Sequence, residues 1–189
     1  KPPIRDILSV FCSLSKVLSE LHRKSVIHNR LSPDNILLKT DTLTVKLIDL
    51  GESTKYSLKS THMGNPAKLD GDIHYMSPEQ TGRMNRITDH RSDLYAIGIM
   101  LYEFLSGKPP FNFQDPLELV HAHIAIKPKP LRSINSDNLQ ILEDIVSKLL
   151  EKSADRRYQS ATGLNMDLEY CLDEFKKNKT IKPFELAQN

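Results

Sequence analysis

Two side chains with oxygen donors lie beside short apolar runs in the first third of the chain. Asn35 comes directly before the run ILL, and Asp49 follows the run VKLI and is itself followed by Leu50 and Gly51. Hard divalent cations prefer oxygen ligands of this kind. Taken alone, Asp49 is a turn residue at the end of a strand and Asn35 is a capping residue. Both nevertheless offer oxygen atoms of the kind that such a cation binds.

The stretch HNRLSPDNILL, residues 28–38, places a cation close to this pair. Arg30 stays protonated near neutral pH and has no acceptor atom, so it cannot take a proton from a hydroxyl. Its guanidinium can pair with a phosphate group, point to solvent, or pair with a carboxylate such as Glu52. Ser32 offers only a neutral hydroxyl. The positive charge at position 30 therefore allows this side chain to pair with an anion and excludes it as a proton acceptor.

Two sequence patterns predict the elements that position these residues. Apolar residues recur at helical spacing over residues 4–24, which predicts a long amphipathic helix. The apolar runs at 36–38 and 45–48 flank the turn-like KTDTLT and predict two paired strands. Residues 50–76 are polar and show no period, which predicts a long loop of a functional or disordered kind. The oxygen donors are thus expected at the two ends of a small hairpin.

The rest of the chain is predicted to be helical. The stretch SDLYAIGIMLYEFLSG begins with Ser92 or Asp93 as its N-cap and ends at Gly107. Three more helices are predicted over residues 115–126, 137–152 and 160–177. We expect one domain over residues 1–177 and a linker over residues 178–189 that leads to a further domain.

Composition and charge narrow the class of protein. The chain is 39% apolar and 26% charged, and its net charge of +2 gives no reason to expect a nucleic-acid partner. The longest apolar run is interrupted by Asp93 and Glu103, so no membrane span is expected. Cys12 and Cys171 match no disulfide or zinc spacing and are expected to be buried free thiols. These features, with no signal peptide, favour a cytoplasmic protein.

Five stretches in a fixed order resemble the C-terminal lobe of a protein kinase. They are VIHNRLSPDNILL, similar to the catalytic loop; VKLIDLG, similar to the strand that ends in the metal-binding DFG motif; MSPE, similar to the APE motif; SDLYAIG, similar to the start of the central helix; and DRRYQSA, which carries the late Arg. Five motifs in order are far more specific than any one of them. The stretches around MSPE, DPLELVHAHIA and SADRRYQSATGLNMDLEYCL resemble more narrowly the Ser/Thr kinase-like domain of large hybrid sensor histidine kinases.

The resemblance implies a fold and a set of cofactors. The fold is mainly α, a kinase C-terminal lobe in which a helical bundle supports a small β-hairpin that carries the catalytic and DFG-like loops. The cofactors are ATP and Mg²⁺, and Asn35 and Asp49 are at the positions that bind the metal and, through it, the nucleotide.

The resemblance also assigns structural roles to four polar residues. His28 is expected in the buried core behind the loop, with a ring nitrogen bonded to the backbone. Asp93 is expected to accept backbone N–H groups of the loop. Glu79 and Arg157 are expected to form an ion pair that ties the end of the long loop to the bundle.

Three polar positions of the catalytic loop depart from the family pattern. Arg30 stands where the family has its catalytic Asp, Ser32 where it has the phosphate-contacting Lys, and Asn29 where it has the Arg that receives an activation-loop phosphate. These changes predict a pseudokinase-type regulatory module that is catalytically impaired. The alternative is an active Ser/Thr kinase domain with a divergent loop, because positioning and metal ions supply much of the catalysis. A plain helical interaction domain is a third, weaker interpretation.

The Gly-rich loop, the strand Lys and the hinge of a kinase N-terminal lobe do not occur among these residues. We therefore expect the N-terminal lobe to be absent, and ATP and Mg²⁺ to bind only together with it. The expected partners are that lobe, downstream domains of a larger chain, and protein partners or substrates. A lobe on its own would expose apolar surface that the other lobe normally covers.

Overall fold

The computed structural model describes residues 2–55, 72–84, 86–131 and 140–187. Within them the fold is mainly helical, which confirms the predicted fold class. The helices are α1 (Ile4–Arg23), α2 (Arg91–Ser106), α3 (Pro116–Ala125), α4 (Gln140–Leu149) and α5 (Ala161–Asn178). The strands are β1 (Val26–Ile27), β2 (Ile36–Lys39), β3 (Thr44–Leu47) and β4 (Thr54–Lys55).

The strands form two small antiparallel sheets. Strands β2 and β3 pair as the predicted hairpin, with Ile36 opposite Leu47 and Lys39 opposite Thr44. Strands β1 and β4 pair with Ile27 opposite Thr54. This second sheet was not predicted, because two residues are too few to show an alternating pattern. It joins the two ends of the segment that contains both oxygen donors.

Helix α2 is the centre of the core. Its residues from Ser92 to Tyr102 are all buried, and it ends at Gly107, whose φ of 87° gives the expected left-handed C-cap. Gly98 allows α4 to come close, because a Cβ at this position would lie 2.7 Å from the Cβ of Leu149. The predicted long central helix is therefore held tightly in place.

The predicted N-cap of α2 is wrong. The helix begins at Arg91, so Ser92 and Asp93 lie within its first turn. The side chain of Ser92 donates to Glu79, and that of Asp93 accepts hydrogen bonds from the segment at residues 28–29. Both side chains are used in tertiary contacts that a local capping pattern cannot reveal.

Helix α1 covers one side of the bundle, as the helical period over residues 4–24 predicted. It packs along α5 and against the hairpin. Ser15 donates to Asn165 of α5 over 2.9 Å, and the hydroxyl of Ser13 accepts the backbone N–H of Val45 in β3 over 2.9 Å. These contacts fix the hairpin on the helical bundle.

The remaining helices begin and end close to their predicted bounds. Asp115 caps α3 by accepting the N–H of Leu117, and Ser160 caps α5 by accepting the N–H of Gly163. Helix α4 is described from Gln140, and the earlier part of its predicted range lies outside the described residues. Cys12 and Cys171 are buried and free, and burial raises the pKa of each thiol to about 12.

The segment after α5 packs back on the domain as far as residue 187. Ile181 is buried, and the ring of Phe184 lies edge-on to Tyr170. The backbone N–H of Ala187 donates to Asp167, which also accepts the hydroxyl of Tyr158. The interpretation of residues 178–189 as a linker stays a prediction.

Only the two ends of the predicted long loop lie among the described residues. A short 3₁₀ turn covers Leu50–Glu52 and leads into β4, and the chain is described again from Asp72. Four hydroxyl-bearing residues of this predicted loop lie outside the described residues, namely Tyr56, Ser57, Ser60 and Thr61.

Candidate functional site

A cavity of about 150 Å³ lies between the loop at residues 28–35, the hairpin and the start of α2. Five of the eight candidate residues from the sequence line it. They are Arg30, Ser32, Asn35, Asp49 and Asp93. The other three, His28, Glu79 and Arg157, are buried away from it. The structure thus separates residues that face the cavity from residues that support it.

Asn35 is oriented by the loop that carries it. Its side-chain Nδ2 donates to the backbone oxygen of Arg30 over 2.7 Å, at the end of the 3₁₀ turn Pro33–Asn35. The amide nitrogen is therefore committed, and the amide oxygen is left as an acceptor. The backbone oxygen of Asn35 accepts the N–H of Ile48, which links this residue to the strand that leads to Asp49.

Asp49 stands in a conformation that few non-glycine residues adopt. Its φ of 58° and ψ of 62° are left-handed, and such backbone strain is concentrated at functional sites. Its carboxylate is 46% exposed and lies 3.9 Å from the guanidinium of Arg30. The carboxylate that Arg30 meets is thus Asp49 rather than Glu52, which the sequence had suggested. A cation already stands beside the predicted metal ligand.

Ser32 lies at the buried base of the loop. It is only 6% exposed, and its backbone oxygen accepts the N–H of Asn35 over 3.1 Å. Its short neutral side chain adds no charge to the cavity. Arg30, with 36% of its side chain exposed, is the cation that the described part of the chain contributes to the cavity lining.

Asp93 holds the loop from behind. Its two carboxylate oxygens accept the backbone N–H groups of His28 and Asn29, each over 2.9 Å. One of them also lies 2.9 Å from Nε2 of His22. Asp93 is 1% exposed, so these donors offset the cost of burying its charge. Nε2 of His28 lies 3.1 Å from the backbone oxygen of Ile48.

Glu79 and Arg157 meet at the other end of the site. Two nitrogens of Arg157 lie 2.7 and 2.8 Å from the two oxygens of Glu79, a bidentate geometry, and both side chains are buried. Burial would raise the pKa of Glu79, but the hydrogen bond and charge of Arg157, with a hydrogen bond from Ser92, hold it below 4.5. The pair is ionised and joins the segment at residues 78–81 to the bundle.

Sequence reasoning missed several residues that shape the site. His22 contacts Asp93, and Gln80 donates to the backbone oxygen of Asn29 over 2.6 Å. Asp72 lines the cavity and is hydrogen-bonded to His74. The sequence signal for Asp72 and His74 was the triplet DIH, residues 72–74, near the end of the stretch predicted as a long loop. A His two residues after an Asp is compatible with a local hydrogen bond between them.

The side chain of Asn29 forms neutral hydrogen bonds. Its Nδ2 donates to the backbone oxygen of Glu52 and to the hydroxyl of Thr54, over 2.9 and 3.0 Å. It adopts a φ of 67°. The loop is therefore tied to β4 without a charge on either side.

A comparison with protein-family models now gives the family of this fold and site. The model described as protein kinase domain matches residues 3–168. The chain belongs to the protein kinase family. Its relatives include a probable serine/threonine-protein kinase of Clostridium perfringens, which is 35% identical over 88% of this chain and 24% of that protein. Another is the serine/threonine-protein kinase PknB of Mycolicibacterium smegmatis, 30% identical over 87% of this chain and 26% of that protein.

The narrower resemblance is also found among the relatives. The hybrid signal transduction histidine kinase G of Dictyostelium discoideum is 49% identical over 51% of this chain, which is 3% of that protein. The predicted resemblance to the kinase-like domain of hybrid histidine kinases is thereby confirmed. The chain spans about a quarter of the two bacterial relatives and a small part of the hybrid kinase.

Two further findings concern the described residues as a whole. The described residues contain no helix that is long and apolar enough to cross a membrane. They also contain no group of three or more His, Cys, Asp and Glu side chains arranged to hold a metal ion. A kinase-type site needs fewer protein ligands than this, because phosphate oxygens and water complete the coordination of Mg²⁺.

Proposed function

We propose that this chain is the C-terminal lobe of a Ser/Thr protein kinase-like domain in a signalling protein, and that its phosphoryl transfer is impaired. The observation that carries the proposal is the guanidinium of Arg30, which lines the cavity 3.9 Å from Asp49. Arg30 stands where the family has the Asp that orients the attacking hydroxyl. A guanidinium is always protonated and has no acceptor, so it cannot take this part. The module is then regulatory, of the pseudokinase type.

The proposal keeps a role for ATP and Mg²⁺. Asn35 offers an amide oxygen that its own hydrogen bond leaves unused, and Asp49 offers a half-exposed carboxylate. Both are hard oxygen ligands that fit Mg²⁺. Bound Mg²⁺ would neutralise charge on the phosphates. Arg30 and the metal ion compete for Asp49, so this chain binds Mg²⁺ more weakly than it would with a neutral residue at position 30.

The partner of this lobe is the N-terminal lobe of the kinase fold. Four large apolar side chains on and beside the hairpin are exposed, namely Leu37, Leu38, Ile48 and Leu50. Several exposed apolar side chains in and beside one short hairpin support an interaction surface in this region. ATP then binds only when both lobes are present.

We also propose that residues 178–189 lead to a downstream domain and that the protein acts on or with other proteins. The two free thiols support a reducing, cytoplasmic location.

One observation favours an active kinase with a divergent loop as a second candidate. The carboxylate of Asp72 lines the same cavity as Arg30. An anion is therefore present in the cleft, although at another position in the sequence. Positioning and metal ions supply much of the rate of phosphoryl transfer. This candidate predicts transfer at a substantial rate in the natural chain.

The test compares ATP binding and transfer in the full-length protein that carries these residues. Wild type and Arg30→Asp are assayed with radiolabelled ATP, Mg²⁺ and a mixed Ser/Thr peptide library. We expect Arg30→Asp to transfer at least about 100-fold faster, since a well-placed base contributes about 100- to 10,000-fold. Arg156→Asp is the matched control, because Arg156 is exposed and lies outside the cavity.

Binding is measured separately, as the shift in thermal unfolding caused by ATP with Mg²⁺. Wild type is expected to bind, and Asn35→Ala is expected to bind more weakly. Equal transfer by wild type and Arg30→Asp contradicts the proposed impairment. A wild type that shows no shift with ATP and Mg²⁺ contradicts the proposed nucleotide site.

A further inference from the structure

Four carboxylates from the described part of the chain line the cavity, and two of them already have partners. They belong to Asp34, Asp49, Asp72 and Asp93. Asp93 is buried and accepts from three donors, so it supports the loop. Asp49 lies beside Arg30 and is the proposed metal ligand. Among the described residues, Asp34 and Asp72 are the lining carboxylates that are left to interact with a substrate hydroxyl.

Asp72 is held in place, and Asp34 is not. One oxygen of Asp72, Oδ1, accepts the backbone N–H of His74 over 2.9 Å and its ring Nδ1 over 2.7 Å. The other oxygen, Oδ2, has no hydrogen bond to any of the described residues. Asp34 is exposed and its side chain makes no hydrogen bond within the described part of the chain. A catalytic group must be preorganised, which favours Asp72.

The turn that carries Asp72 is itself anchored to the central helix. The backbone N–H of Tyr75 donates to the backbone oxygen of Asp72 over 3.1 Å. The hydroxyl of Tyr75 donates to Glu103 of α2 over 2.7 Å. Burial and this hydrogen bond raise the pKa of Tyr75, so it stays protonated and cannot act as a base. Tyr75 lines the cavity as a fixed support.

We infer that Asp72 is the carboxylate through which this cleft carries out its residual phosphoryl transfer, with His74 as a positioning residue. The inference rests on the proposed function and names the group that performs the weak transfer it leaves. The hydroxyl oxygen of a protein Ser or Thr forms a bond to the γ-phosphorus of ATP, and the bond from that phosphorus to the bridging oxygen breaks. The hydroxyl proton passes to Oδ2 of Asp72, and the electron pair of the broken bond leaves with ADP.

The decisive variant is Asp72→Asn in the full-length protein. Asn keeps the size of the side chain and accepts from His74, but its affinity for a proton is lost. With ATP, Mg²⁺ and the Ser/Thr peptide library, kcat is expected to fall about 100-fold, and the KM for ATP is expected to change less than about twofold. Asp41→Asn is the matched control, since Asp41 is exposed at the hairpin tip, away from the cavity.

The role of His74 is tested by two replacements. His74→Ala removes the ring donor to Asp72 and is expected to lower kcat about tenfold, because one orienting hydrogen bond of about 1.5 kcal/mol is lost. His74→Asn places an amide donor near the same point and is expected to restore most of that loss. A purely structural role predicts that both replacements behave alike.

The outcomes separate this inference from the proposed function. The inference is overturned if Asp72→Asn transfers as fast as wild type, if Asp34→Asn causes the loss instead, or if wild type shows no transfer above a control without protein. In the last case, ATP binding by wild type still supports the proposed function. If Asp72→Asn loses transfer and Arg30→Asp gains none, Asp72 is the active group and the proposed impairment fails.

Discussion

The two faces of the loop at residues 28–35 differ in how strongly they are tied to the rest of the molecule. The buried face is fixed by Asp93, which takes the backbone N–H groups of His28 and Asn29. The cleft face carries Arg30, whose nearest charged partner lies 3.9 Å away and is half-exposed. A side chain on the cleft face can therefore change without disturbing the backbone that the buried face holds.

The same contrast holds for two arginines of the molecule. Arg157 is fully buried and donates to Glu79 and to the backbone oxygens of Glu151, Lys152 and Arg91. The guanidinium of Arg30 lies 3.9 Å from the carboxylate of Asp49, and both side chains are partly exposed. We therefore expect Arg157 to be required for the stability of the fold, and Arg30 to affect only the chemistry of the cavity. A substitution at position 30 is therefore expected to leave the kinase fold intact.

The largest expected effect that tests this contrast is that of Arg157→Met. The change leaves the buried carboxylate of Glu79 without its cation, and removing one partner of a buried ion pair costs about 3–5 kcal/mol. We expect the free energy of unfolding in urea to fall by this amount. The neighbouring exposed residue provides the control, Arg156→Met, with an expected change within about 0.5 kcal/mol.

The pH dependence of the same variant sharpens the test. The folded-state pKa of Glu79 lies below 4.5. Its stabilisation is therefore present above that value and is lost as the pH falls through the folded-state pKa. The difference in stability between wild type and Arg157→Met should shrink below about pH 4.5. A difference that stays constant down to pH 3 would contradict an ionised pair.

The next effect is that of Asp93→Asn. An amide has one oxygen in place of two, so at least one backbone donor of the loop loses its acceptor. Hydrogen bonds to a charged group contribute about 1.5–3 kcal/mol, and we expect a loss of this size. Amide exchange should become faster at His28 and Asn29, while exchange in α5 follows the global change. If those two amides stay protected, Asp93 does not hold the loop.

Gly98→Ala is expected to cost about 1–3 kcal/mol by overpacking. The new methyl group would lie 2.7 Å from the Cβ of Leu149, so α2 and α4 must move apart. Thermal unfolding measures the loss. Ser9→Ala, on the outer part of α1, is a control of similar size and is expected to be nearly neutral. Full stability in Gly98→Ala would show that the helix contact is loose.

The smallest expected effect is that of Arg30→Ala. Exposed ion pairs contribute about 0.2–1 kcal/mol at best, so the unfolding free energy should change by less than about 1 kcal/mol. This result, beside the large loss in Arg157→Met, is the difference expected between the cleft face and the scaffold. A loss of several kcal/mol would mean that Arg30 is a structural residue after all.

Much of the fold was predictable because its helices carry strong local patterns. The apolar period of α1, the Asp115 cap and the Gly107 stop each depend on neighbours in sequence. The start of α2 was placed wrongly, because Ser92 and Asp93 serve distant partners rather than the helix end. The pair β1 and β4 was missed because each strand has only two residues.

The candidate site was predictable only in its parts. The sequence indicated the oxygen donors Asn35 and Asp49 and the unusual cation at position 30, because these follow from residue types within recognisable motifs. It did not indicate that Arg30 meets Asp49, that His22 contacts Asp93, or that Asp72 lines the same cavity. Each of these contacts joins residues far apart in the chain.

The sequence by itself determined the family, the helical character of the fold and the presence of a side chain without an acceptor at position 30. These depend on side-chain chemistry and on spacing, which the order of residues contains. Only the tertiary structure decided which carboxylates of the cavity accept hydrogen bonds from other segments of the chain. The physical reason is that a carboxylate's role depends on the donors and charges within a few ångströms of it, and these come from segments that folding brings together.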